Sequence, residues 1–246
     1  SEVHPTGPGS AGCAARPRAA TRPGAGCEPG RTGRGLTSVD EPSPRFLKEI
    51  LALDAELRTR MRDRFDRDLP LPELLQDRWE RARSLGFGER SSIYASAYVY
   101  GDVRVGTDTW IGPFTLLDRS GGGLAIGSHC SISAGVQIYT HDTVRRSLSG
   151  GVMDVERSPV TIGDCAYVGA QVVIAKGVTV GDHAVIGASA FVKRDVEPFS
   201  IVAGTPARRI GSVVVEPTGE IRLTYHLIEA GSAEGSATPG DQKVAR

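Results

Sequence analysis

One histidine, His141, stands where an imidazole can do chemistry. It is the third residue of Tyr139-Thr140-His141-Asp142, at the point where a regular pattern breaks off into a long insertion. Its ring titrates near neutrality, so it can take and return a proton, and emergent loops are where such groups commonly act. The other four histidines are placed less usefully. His4 and His226 lie toward the chain ends, and His129 and His183 share the fourth position of ordinary repeats, where a solvent-exposed polar residue is expected. Asp142 either orients the imidazole or is simply solvated, the second being the plainer expectation. The four cysteines form no CxxC. Reduced thiols, with no disulfide framework and no metal set, are therefore expected.

What must position His141 is a pattern of period six. Large aliphatics stand at Ile93, Val99, Val105, Ile111, Leu117, Ile126, Ile132, Ile138, Ile162, Val168, Ile174, Val180, Ile186 and Val192. Four residues after nearly every one comes a small or β-branched residue, such as Ala97, Thr109, Cys130, Ala166 or Ala184, and glycine often follows the aliphatic directly. Neither an amphipathic helix nor an ordinary strand has this period. Three straight faces of about six residues close a triangular coil, and coils stack at about 4.8 Å. The aliphatic fills the interior and the small residue fits near the corner. Glycine beside the aliphatic is expected to supply backbone conformations that other residues reach only with strain.

Two spacings depart from six. Leu117 to Ile126 holds three extra residues at Gly121, Gly122 and Gly123, and Ile138 to Ile162 holds eighteen. With both allowed for, the register continues unbroken, predicting a parallel β-helix of about five coils over 89–210 with an extruded loop at 139–159. Upstream, Phe46, Ile50, Leu51, Leu53, Leu57 and Met61 predict an amphipathic helix ended by Pro70 and Pro72. Leu74, Leu75, Trp79 and Ala82 predict one shorter second helix. The pair (44–88) should bury its apolar face as a cap on the first coil. Residues 1–43 are rich in Gly, Pro, Ala and Arg and are expected to be a dispensable disordered tail. Residues 211–246 form a C-terminal extension with a short strand pair, loose from about 231.

Basic and acidic residues balance at 29 each, so no global field favours nucleic acid. No apolar run is long enough for a membrane span or a signal-peptide core. A cytoplasmic protein is expected.

Several segments carry a resemblance when read in order. They are Tyr139 to Asp142, Pro159-Val160-Thr161-Ile162-Gly163-Asp164, Gly177-Val178-Thr179-Val180-Gly181-Asp182 and Ala203-Gly204-Thr205-Pro206-Ala207. From about Ile93 to Ile210 the chain resembles the hexapeptide-repeat acyltransferases, specifically the maltose and galactoside O-acetyltransferase branch with its polysaccharide-biosynthesis relatives. The resemblance implies a left-handed β-helix and a homotrimer whose sites lie in grooves between subunits. It implies acetyl-CoA as acyl donor, a hydroxyl or amine of a sugar or glycan as acceptor, and no metal. His141 would be the general base and the Ala170 N–H the oxyanion donor. CoA would run past Ala188 toward Lys193, Arg194 and Arg208. Trp110, Asp118 and Asp142 would face the acceptor.

The chain departs from that branch where an acceptor-binding asparagine is expected, since Trp110-Ile111-Gly112-Pro113-Phe114 contains none. The acidic pair that follows in the family is reduced to Asp118 with Arg119. A simple galactoside acceptor is thus not expected. Two other functions share the fold: a non-catalytic scaffold, which the loop histidine argues against, and a γ-carbonic-anhydrase-type metal enzyme. The latter needs two histidines five apart, a spacing absent here.

Overall fold

The computed structural model describes residues 43–226. The tails read from composition at 1–43 and beyond 231 lie outside the described residues except for Ser43. The chain divides into units 1–47 and 48–246, and of the first only the opening turn of helix α1 (Pro44–Phe65) is described. Ser43 accepts from the Phe46 N–H at 3.2 Å, and Pro44 follows at the first helical position.

α1 ends at Phe65, five residues before Pro70, the expected stop, and Asp66 adopts φ 51°. It buries none of its residues. The capping expected of α1 is done instead by two short helices, α2 (Leu71–Leu75) and α3 (Arg78–Ser84), where one had been expected. Asp77 divides them because its carboxylate accepts from the Trp79 and Glu80 N–H groups, a cap typically worth about 1 kcal/mol. Ala82 from α3 and Phe87 just after it join the apolar core beside Ile93. Glu73 accepts from the N–H groups of Ala95 and Ser96, both at 2.9 Å, while Arg81 donates to the carbonyls of Tyr94 and Ala97. These two side chains satisfy backbone groups at the end of the first coil that no earlier coil can pair.

Beyond Ser92 the chain is a left-handed parallel β-helix. The first face stacks Ile93, Ile111, Ile132, Val168, Ile186 and Val202 in parallel register. The second stacks Val99, Leu117, Ile138, Ile174 and Val192. The third stacks Val105, Ile126, Ile162 and Val180, with a bridge on to Val196. Five coils close, and Ser200–Ala203 opens a sixth. That strand is met by antiparallel Arg208–Val215, itself paired with Ile221–Tyr225. The strand pair expected after 210 therefore begins at Arg208, inside the coil domain as drawn from sequence.

Every first-position aliphatic is buried except Val99, which is half-buried. Buried threonines are satisfied, as where Thr109 Oγ1 donates to the Gly127 carbonyl at 2.8 Å. The reason for the recurring glycine differs from the expected one. Gly127 does not take a left-handed backbone, yet a Cβ there would lie 2.7 Å from the Gly163 carbonyl carbon in the next coil. Close approach of coils demands glycine. Positive φ falls two residues on, at Asp108, His129, Cys165 and His183.

No helix among the described residues is long and apolar enough to cross a membrane.

Candidate active site

The two insertions meet. The long one leaves as a hairpin, with His141–Asp142 antiparallel to Glu156–Arg157 and a short helix α4 (Val144–Leu148) at its tip. The short one packs against its base. A Cβ on Gly121 would fall 2.2 Å from the Thr140 carbonyl oxygen and 2.5 Å from His141 Cβ, so only glycine fits. Buried Thr140 ties the two together, donating to the Asp118 carbonyl and accepting from the Gly121 N–H, each at 2.9 Å.

This contact delivers a carboxylate to the imidazole. Asp118 Oδ2 lies 2.8 Å from His141 Nδ1, with the aspartate side chain 3% and the histidine 33% exposed. Although close, Oδ2 receives no hydrogen bond of good angle, so the attraction is of charge for ring dipole rather than a well-aligned bond. The other oxygen, Oδ1, accepts from both the Ser120 N–H and its hydroxyl. A carboxylate at Nδ1 favours the tautomer protonated there and leaves the Nε2 lone pair free to accept a proton.

Burial alone would push the Asp118 carboxyl up. The Ser120 hydroxyl and N–H, with His141 alongside, outweigh it and hold the group below the usual carboxylate range. A depressed folded pKa gives stability that is complete above the unfolded value of about 3.9 and is lost as pH falls through the lower folded one. Asp118→Asn is therefore expected to flatten the acid limb of the stability curve below about pH 4. Thermal melts across that range check it, and a limb as steep as the parent's would refute it.

Asp142 neither orients the imidazole nor stands merely solvated. Its Oδ2 is 2.6 Å from Lys176 Nζ, which also reaches Glu156 Oε2 at 3.0 Å, and Glu156 pairs with Arg145 at 2.8 Å. The Lys176 ammonium beside it, together with the Val144 N–H, lowers the Asp142 pKa. Lys176 thus pins both strands of the hairpin to the coil below. The sequence offered a signal for it: pairing of Ile138 with Ile174 sets Lys176 under Thr140.

The remaining candidates lie elsewhere in this chain. Ala170 is at the corner between the first and second faces, and its N–H donates no hydrogen bond among the described residues. One face separates it from the His141 corner, roughly 20 Å at about 3.3 Å per residue. Ala188 lies one coil below Ala170, on the same corner. Trp110 is on the first face, edge-on to Tyr94. Lys193 and Arg194 are exposed after the second face, and Arg208 on the closing strand; none has an ion pair among the described residues. Of the two repeat histidines, His129 is exposed as expected, but His183 is half-buried, its ring stacked on Phe199 at 4.7 Å. No group of three or more His, Cys, Asp or Glu able to hold a metal occurs among the described residues.

Residues 159–194 match the family model described as bacterial transferase hexapeptide (six repeats). The coils over 159–194 are thus similar to bacterial transferase hexapeptide repeats. Chains with similar repeats include the 2,3,4,5-tetrahydropyridine-2,6-dicarboxylate N-acetyltransferases of Halalkalibacterium halodurans and Bacillus licheniformis. The first is 40% identical over 102 residues, covering 42% of this chain and 38% of the relative. The second is 38% identical over 106 residues, covering 43% and 41%. The chain thus spans about two fifths of the length of these curated relatives. A hexapeptide-repeat acetyltransferase of Vibrio cholerae O1 biovar eltor, solved in complex with acetyl coenzyme A, is 30% identical. That alignment covers 67% of this chain and 88% of the other, with a TM-score of 0.47. The residues that sequence reasoning missed are Ser120, whose Oγ lies 3.4 Å from His141 Nδ1 as well as on Asp118, and Thr140 and Lys176, which act on the site through other residues.

Proposed function

We propose that the protein transfers an acyl group, acetyl foremost, from acyl-CoA to a hydroxyl or amine of a sugar or sugar-containing acceptor. The observation that carries this reading is His141, held by buried Asp118 at the mouth of the extruded loop with Nε2 free. The imidazole accepts the acceptor's proton as its oxygen or nitrogen attacks the thioester carbonyl carbon. A backbone N–H stabilises the resulting oxyanion. Collapse of the tetrahedral intermediate breaks the C–S bond, and the imidazolium returns the proton to the CoA sulfur.

The Ala170 N–H suits the oxyanion role, being unspent, yet it lies a face away from His141 in the same chain. A complete site therefore takes His141 from one copy and Ala170 from a neighbour, which is what a side-by-side trimer supplies. Lys193, Arg194 and Arg208 are the cations for the CoA phosphates. The finer placement in the maltose and galactoside branch rests on the loop histidine and the Gly-Thr-Pro-Ala ending. The curated relatives are named for N-acetyl transfer, which puts amines beside hydroxyls as acceptors.

The test is a panel of amino sugars, sugar nucleotides and simple glycosides with acetyl-CoA, read by free thiol, alongside light scattering. Acceptor-dependent thiol release from a particle of three chains is expected. Failure to bind CoA, with no thiol released, would leave the scaffold reading in its place. An active monomer would refute the shared site.

A further inference from the structure

A cleft of about 240 Å³ opens on the outer side of the third face, lined by Arg104, Arg119, Gly122, Gly123, Ala125 and Thr161 among others. Its floor is made of small side chains. Ala125 pairs with Arg104 on one side and with Thr161 on the other, so the outward row shrinks from an arginine to a methyl and a hydroxyl. Its wall is the short insertion, where a Cβ on Gly122 would approach Pro159 N at 3.2 Å.

Both arginines lack a carboxylate partner among the described residues, and Arg119 is half-buried. Elsewhere Arg58, Arg62, Arg90, Arg145 and Arg222 each hold one. A half-buried cation without a counter-charge is costly, and the cost is relieved if an anion joins it. Two guanidiniums on one small cleft match the spread of donors that a phosphate or carboxylate takes up. The cleft also adjoins the reacting centre. Arg119 is placed between Asp118, which faces the imidazole, and Ser120, which holds Asp118. Gly121, packed on His141, leads directly into Gly122 and Gly123 of the cleft wall.

We propose that Arg104 and Arg119 form an anion subsite, holding a phosphate or carboxylate group of the acceptor next to the acyl-transfer centre. Its assignment to the acceptor rests on the acyl-transfer reading above; the anion subsite itself does not. The acceptor class is then an anionic one, such as a sugar carried on phosphate or an amine bearing a carboxylate.

The experiment titrates inorganic phosphate, glutarate and CoA separately into the full chain and into Arg104→Gln/Arg119→Gln at low ionic strength, followed by calorimetry. The two single variants stand in if melting shows the double variant misfolded. The parent is expected to bind phosphate or glutarate, and the double variant to bind it about tenfold or more weakly, with CoA affinity unchanged. Preference for phosphate identifies a phosphorylated acceptor, and preference for glutarate a carboxylated one. Binding of neither anion by the parent, or equal binding by both proteins, overturns the proposal. Joint loss of anion and CoA assigns the arginines to the donor instead and overturns the acceptor role. Anion binding through the arginines in a protein that binds no CoA would keep the subsite and sink the acyl-transfer reading.

Discussion

His141→Ala should leave CoA affinity near that of the parent while turnover falls by about two to four orders of magnitude, the usual worth of a positioned general base. The side chain stands at the loop mouth, one third exposed, so no cavity opens in the aliphatic interior. Asp118 loses the ring beside Oδ2 but keeps both Ser120 donors on Oδ1, which preserves the local fold. Asp142→Ala should cost far less, because that carboxylate acts on Lys176. His129→Ala should change nothing in rate, and His183→Ala should cost only its stacking on Phe199, about 1 kcal/mol of stability. Steady-state transfer with a working acceptor, beside calorimetric CoA binding, separates these outcomes. Turnover near the parent's in His141→Ala would refute the base. Loss of CoA binding would make the histidine part of the donor groove instead.

The second large effect is expected at Asp118. Asp118→Asn keeps shape and volume but replaces a carboxylate by an amide, which no longer attracts the Nδ1 proton and can turn its own NH₂ toward the ring. The favoured tautomer is then lost, and with it the free Nε2 lone pair. Turnover should fall between about tenfold and 10⁴-fold, the upper figure being what an orienting aspartate carries in a Ser-His-Asp triad. The fall should lie in turnover rather than in CoA affinity. A merely structural role would lower the melting temperature and leave turnover per folded molecule alone. Measuring both on the same preparation decides between them.

The coils were legible in the sequence because their cause is periodic. Interior positions recur every six residues, and the three-residue and eighteen-residue insertions reappear as register jumps: Val105 pairs with Ile126 and Ile126 with Ile162. His141 was legible because a long insertion leaves beside it. The Asp118 contact was harder to see. Register sets Leu117 beside Ile138, which brings Asp118 near the histidine, but the pattern does not say which way either side chain turns after the coil breaks. Thr140 and Gly121 decide that, through hydrogen bonds and close packing that leave no periodic trace. The leader shows the converse limit. Spacing correctly marked α1 as a helix, but amphipathicity does not name the partner, and Glu73 and Arg81, polar residues outside any apolar stripe, make the attachment to the coil.

A stack of parallel strands invites fibre growth, since each end offers a ladder that another stack could extend. Here each end is covered in part. At one, Glu73 and Arg81 occupy the backbone groups of Ala95, Ser96, Tyr94 and Ala97. At the other, Arg208–Val215 runs antiparallel to the last parallel strand and reverses the polarity of the edge. On the first face and its corner, end-to-end extension of the ladder is thereby interrupted, whereas the flanks of the coils carry no such cover.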